Sequence, residues 1–95
     1  MPRIPIPLMA LELGNFFVTR RAAKRIHAKD AMDCLERHMI GDYGDVDDFD
    51  WKTNDLAWKH GFPVVSSYAD RKKRRFLIIT EPGRSATTIL LPEEY

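Results

Sequence analysis

Apolar residues change their spacing about two thirds of the way along this chain. Through residue 60 they recur mostly at helical intervals, and from residue 63 they come in short runs broken by turn residues. Thr19 ahead of RRAAKRIH reads as an N-cap that opens a short basic helix over 20–27. Asp30 is a second N-cap candidate, with Asp33 in the following turn. Met32, Leu35, Met39 and Ile40 would form the apolar stripe of a helix over 31–40 that Gly41 ends, unless the two helices join into one bent helix. Asp47 can cap a third helix through Lys59, stopped by Gly61. Trp51 and Trp58, seven apart, share a face there, and Leu56 and Ala57 would extend it.

After Pro63 the pattern becomes extended. Residues 64–69 (VVSSYA), 75–80 (RFLIIT) and 86–91 (ATTILL) read as strands. The short linkers DRKKR and EPGRS make these three antiparallel neighbours, and Pro82-Gly83 fits the central pair of a type II turn. LELGNFFV, residues 11–18, is an earlier strand candidate, and Pro2, Pro5 and Pro7 favour an extended arm over residues 1–8. The expected architecture is α+β, with two or three helices packed on a small antiparallel sheet of three or four strands. A sheet of that size leaves edges, which favours a homodimer in which the proline arm wraps a partner subunit.

Length allows one core, so residues 1–95 are expected to form a single domain. With 44% hydrophobic and 31% charged residues, the composition is that of a globular chain rather than a disordered one. Cys34 is the only cysteine, which excludes an intrachain disulfide and a cysteine-built zinc site and fits a reducing cytoplasm. No run reaches the ~20 apolar residues of a membrane span. The proline-interrupted start, MPRIPIPLMALELG, reads as mature protein rather than as a signal peptide.

Charge changes the picture more than composition does. The net charge of +1 conceals +3 over residues 1–41, −4 over 42–60 and +2 over 61–95. One basic cluster is Arg20, Arg21, Lys24, Arg25 and Lys29. Helical spacing stacks Arg20 over Lys24 and Arg21 over Arg25, a repulsion that a phosphate backbone would relieve. The other is the run Arg71, Lys72, Lys73, Arg74 and Arg75 at a hairpin tip, denser than edge protection requires. A projecting tip would give this second cluster the larger share of phosphate contact. A solvated helix face and a protected sheet edge are the plain alternatives.

Other chemistry is sparse. Asp42, Asp45, Asp47, Asp48, Asp50 and Asp55 invite a calcium reading. A loop counted from Asp45 puts Phe49 at position 5 and Leu56 at position 12, where an EF-hand needs oxygen ligands, so capping and a solvated acidic face remain. Cys34 and His38 lie four apart but lack further ligands or an orienting third residue. Cys34 therefore reads as a small core residue, and no metal or cofactor is expected. The five glycines are too scattered for a phosphate-cradling loop, and Tyr68 and Phe76 default to core packing. No residue set sits at catalytic spacing, so a non-enzymatic protein is expected.

Two stretches carry a resemblance: GDYGDVDDFDWKTND (41–55) and LIITEPGRSATTILLPEEY (77–95). Together they resemble a family of short bacterial proteins borne on plasmids and integrative elements, the plasmid-related proteins. The resemblance implies a mobile-element context and a bacterial cytoplasm, and it implies no mechanism. Both basic clusters lie outside these stretches. Within them, Arg84 beside Ser85, Thr87 and Thr88 could form a phosphate site or pair with Asp42 or Asp45. The reading reached is a DNA-binding protein, regulatory in role, that grips duplex phosphates through the two clusters. The alternative is an interaction or inhibitor protein acting through the acidic 42–55 segment.

Overall fold

The computed structural model describes residues 10–95, so the proline arm expected over 1–8 lies outside the described residues. The elements are β1 (Asn15–Val18), α1 (Arg20–Arg25), α2 (Ala28–Met39), α3 (Asp48–His60), β2 (Val64–Ala69), β3 (Arg75–Thr80) and β4 (Ala86–Leu90). Two 3-10 turns lie at Pro82–Arg84 and Pro92–Glu94. The strands form one sheet in the order β1-β4-β3-β2. The α+β class and the three antiparallel C-terminal strands are as expected. The fourth strand joins differently, because β1 runs parallel to β4, with Phe16 opposite Thr87 and Val18 opposite Ile89. Almost the whole chain separates these two strands, so no tight turn dictates their direction.

Helices cover one face of the sheet. Val64, Ser66 and Tyr68 of β2, Phe76, Ile78 and Thr80 of β3, and Thr87 and Ile89 of β4 point to that face and are buried. Ala22 and Ile26 at α1, and Ala31, Cys34 and Leu35 of α2, pack there with Tyr68, Phe76, Ile78 and Ile89. A second cluster joins Leu11, Tyr43 and Val64 to Ala57 of α3, with Trp51 and Trp58 against it. Of the expected 11–18 strand, only residues 15–18 pair; Leu11 and Leu13 pack into the core instead.

One helix face is rotated from expectation, and another differs at a single residue. The inward stripe of α2 is Ala31, Cys34, Leu35 and His38, while Met32 and Ile40 are exposed. Treating Leu35, Met39 and Ile40 as the guide misses that a histidine completes the i, i+3, i+4, i+7 set. α2 also begins earlier, at Ala28 after His27, so Asp30 is no N-cap. Its carboxylate instead receives Arg71. In α3 the inward set includes Trp51, Asn54, Ala57 and Trp58, which leaves Leu56 exposed. Thr19 and Asp47 cap α1 and α3 as expected, accepting from Ala22 N–H and Asp50 N–H.

His38 anchors α2 to the sheet, with both ring nitrogens bonded. Nδ1 lies 2.6 Å from Ser66 Oγ and Nε2 2.8 Å from Thr80 Oγ1. Proton bookkeeping fixes the tautomer. Thr87 donates to the Leu13 carbonyl and so accepts from Thr80. Thr80 must then accept from His38 Nε2–H, leaving Nδ1 to accept from Ser66. Burial, with a smaller repulsion from Arg84, lowers the His38 pKa to about 3.

Gly44 explains the turn between α2 and α3. Its φ is +75°, and a Cβ there would come within 2.2 Å of Ser67 O and 2.5 Å of the Tyr68 ring. Flanking it, Asp45 N–H donates to Ser67 O and Ser67 N–H to Tyr43 O, which pins the turn along the outer edge of β2. The Asn54 amide bonds both Val65 N–H and Val65 O on the same edge.

Two predictions follow from these packing facts. Gly44→Ala is expected to cost about 3 kcal/mol or more, because strain and a backbone clash combine. Gly61→Ala shares the left-handed conformation but meets nothing within 4 Å. Its cost should be about 1 kcal/mol. Urea unfolding of both variants checks the difference, and equal losses would mean that the close approach at Gly44 is wrong.

The second concerns pH. Above about pH 6.5 His38 is neutral in both states and contributes no pH dependence. Below that the unfolded chain takes up a proton that the folded chain refuses until about pH 3. Stability should therefore fall with falling pH, with His38 accounting for about 2 kcal/mol between pH 7 and pH 5. His38→Gln should be less stable at pH 7 but show a pH dependence smaller by that amount. Identical slopes in parent and variant would contradict a buried neutral imidazole.

Candidate functional site

The β2–β3 connection is built around Asp70. One of its carboxylate oxygens accepts from Lys72 N–H and Arg74 N–H, and the other from His27 N–H at the junction of α1 and α2. Burial opposes the charge, but these backbone donors outweigh it and hold the Asp70 carboxyl below the ordinary range. Asp70 N–H bonds Arg74 O, and Lys73 takes φ +63°, the pattern of a three-residue hairpin loop with a left-handed third residue.

The loop consequently folds back on the helices rather than projecting. Arg71 forms a two-pronged pair with Asp30 at 2.8 and 2.9 Å, and these bonds hold the Asp30 carboxyl far below its usual range. Arg74 donates to the carbonyl of Arg25 near the end of α1, at 2.7 Å. Arg75 donates to Asp45 and to Ser67 Oγ. The ranking of the hairpin above the helix assumed a free tip, whereas Arg71, Arg74 and Arg75 are bonded to the rest of the fold. All five cations of the run nevertheless remain exposed.

The folded-back loop brings the two basic clusters together. Arg21, Lys24 and Arg25 of α1 and Arg74 of the loop line one open depression of about 680 Å³. Their charges come from positions about fifty residues apart, joined by the Arg74 bond to Arg25 O. Arg20 is exposed on the same short helix but does not line the depression, nor do Arg71, Lys72, Lys73 and Arg75. Lys29 pairs with Asp33 one turn on.

An acidic residue borders this surface. Glu93 Oε2 lies 3.3 Å from Arg21 Nη2 and 3.2 Å from Arg25 Nη1. Its neighbour Glu94 accepts from Leu91 N–H and from Thr19 Oγ1, which fastens the Pro92–Glu94 turn to the N-cap of α1. The sequence reading passed over both glutamates, although their place beside a proline in a short acidic run was visible.

The acidic 42–55 segment is largely engaged within the fold. Asp42 pairs with Arg37, Asp45 with Arg75, Asp47 caps α3, and Asp55 accepts from Tyr43 Oη. Arg84 pairs with neither Asp42 nor Asp45. Its guanidinium donates to the carbonyls of Ala57, Trp58 and Phe62, closing the C-terminal end of α3, where free carbonyls attract a cation. The His38 nitrogens are both occupied, and burial raises the Cys34 thiol pKa, so this pair offers neither an open ligand set nor an activated nucleophile. Among the described residues, no three His, Cys, Asp or Glu side chains gather at metal-holding spacing, and no helix is long and apolar enough to cross a membrane.

No protein-family model, curated protein or solved structure matches this chain.

Proposed function

We propose that this protein is a non-enzymatic DNA-binding protein of a bacterial mobile element, acting in the cytoplasm in a regulatory role. The observation that carries the proposal is the convergence of Arg21, Lys24, Arg25 and Arg74 on one open surface. Clustered cations that repel one another are stabilised by phosphates, and the counterions they displace from DNA supply affinity without base recognition. Arg20, Lys72 and Lys73 are exposed and extend the positive field to either side. Arg71 and Arg75 are paired in the free protein; the exposed Arg75–Asp45 pair is of a kind worth only about 0–1 kcal/mol, so a phosphate can compete for Arg75. The mobile-element setting rests on the sequence resemblance alone. The alternative through residues 42–55 is less favoured, since most of those carboxylates already hold the fold together.

Binding to duplex DNA should be micromolar or weaker at moderate salt, with a steep salt dependence. Fluorescence anisotropy across a salt series measures both. Arg21→Gln with Lys24→Gln and Arg25→Gln keeps good helix formers on α1 and should flatten the logarithmic slope by about three units. Lys72→Ser with Lys73→Ser should flatten it less, by at most about two. Absence of binding by the parent at low salt would end the proposal, and a larger effect from the loop pair would restore the hairpin as the main grip.

The homodimer belongs to the same proposal. Asn15 N–H and Thr19 N–H face β4, bonding Ser85 O and Ile89 O, so the alternation of a strand turns the backbone groups of Phe16 and Val18 to the outer edge. Phe16, Phe17 and Val18 are all exposed, whereas the opposite edge, β2, is covered by residues 43–45 and Asn54. The occupant assigned to the β1 edge is a second copy, paired antiparallel strand to strand. Sedimentation should give a dimer at tens of micromolar, an order-of-magnitude choice suited to modest interfaces. Val18→Pro removes an outward N–H and should give a monomer. A monomeric parent at that concentration would overturn the dimer.

A further inference from the structure

Arg21 and Arg25 lie four apart on α1, so their guanidinium groups share one side of the helix. One oxygen, Glu93 Oε2, accepts from both, at 3.3 and 3.2 Å. A single anionic oxygen shared by two guanidinium groups is also how a phosphate oxygen is held. Lys24 and Arg74 line the depression together with these two arginines, and Glu93 meets the arginines at its border.

The turn that puts Glu93 there is closed by bonds other than those to its side chain, which also accepts from its own backbone N–H. Pro92 starts the turn, Glu94 N–H bonds Leu91 O, and the Glu94 carboxylate takes Leu91 N–H and the Thr19 hydroxyl, both at 2.8 Å. Glu93 is then delivered to the arginines while its side chain stays about half exposed, at 47%. Both arginines are also about half exposed, at 58% and 48%. Such pairs exchange readily with solvent and contribute little to stability. Glu93 can therefore swing away without disturbing the turn, and a phosphoryl group offers more acceptor oxygens and more charge than the carboxylate it replaces.

We propose that Arg21 and Arg25 form a seat for one phosphoryl oxyanion at the border of the depression that Lys24 and Arg74 also line, and that Glu93 is a tethered competitor that fills this seat in the free protein. This deepens the DNA-binding proposal and rests on it for the biological source of the phosphate. The consequence is a threshold: isolated phosphates bind weakly because each must displace a carboxylate held in place, whereas a polyanion with several phosphates displaces it through the sum of its contacts.

Glu93→Gln keeps the size of the side chain and removes its charge. Glu36→Gln makes the same charge change at an exposed position of α2. Each protein is titrated with inorganic phosphate, followed by the arginine side-chain and backbone signals in NMR spectra, and separately with duplex DNA by anisotropy. Glu93→Gln should bind inorganic phosphate roughly five-fold more tightly than the parent, the worth of releasing an exposed pair. Glu36→Gln should change it less than about two-fold. Arg21→Gln with Arg25→Gln should abolish the gain. Equal phosphate affinity in Glu93→Gln and the parent, or an equal gain in Glu36→Gln, overturns the competitor. Undiminished phosphate binding by the double arginine variant overturns the seat. If phosphate binds Glu93→Gln as expected while no protein binds DNA at low salt, the seat stands and the DNA proposal falls.

Discussion

His38 lies where the helical layer meets the sheet, and both of its ring nitrogens must find partners there because the side chain is fully buried. Ser66 on β2 and Thr80 on β3 supply them, the Thr80 hydroxyl donates to Thr87 on β4, and the Thr87 hydroxyl donates to the Leu13 carbonyl before β1. One directional chain of hydrogen bonds thus fixes α2 against three strands and sets the entry to the fourth. A network of this kind is costly when partly satisfied, so it selects one register of the helix over the sheet. No buried side-chain polar atom among the described residues lacks a partner. The same arrangement places α2, and with it Asp30, opposite the β2–β3 loop.

The positive surface follows from that placement. Asp30 receives Arg71, Asp70 gathers the loop backbone and the His27 N–H, and Arg74 reaches the last turn of α1. Two carboxylates therefore organise a loop of cations so that it lies beside the cations of α1. The acidic residues near the basic ones act as positioning groups, and the surface left over is positive. Glu93 is the exception: it sits on the positive surface itself, against Arg21 and Arg25. A carboxylate there is compatible with the fold of its turn, which backbone bonds and the Glu94 side chain secure.

Much of the architecture was legible in the sequence because local rules decide it. Thr19 and Asp47 are capping residues at the right distance from apolar periodicity, and the three C-terminal strands are separated by short linkers that leave only antiparallel pairing. What was not legible depends on partners distant in the chain. The direction of β1 is set by β4, some seventy residues on. The inward face of α2 turns on His38, a residue whose burial is tolerable only because two hydroxyls from other elements meet it. Arg84 was expected to hold a phosphate or pair with a carboxylate, but it bonds carbonyls at the C-terminal end of α3. Both basic clusters could be identified by composition, whereas their union could not, since it depends on Asp70 folding the loop back. The role of Glu93 was hidden for the same reason: its partners are 68 and 72 residues away.

The proposed contact surface for a phosphate backbone joins α1 to the 70–74 loop through Arg74 and is bordered by the Pro92–Glu94 turn. Backbone amide shifts of the isotope-labelled protein on addition of a short DNA duplex test this directly. Changes confined to Arg20–Arg25, Asp70–Arg74 and Pro92–Glu94 are the expected result. Changes centred on Asp47–His60, or spread evenly over the protein at saturating DNA, would contradict it.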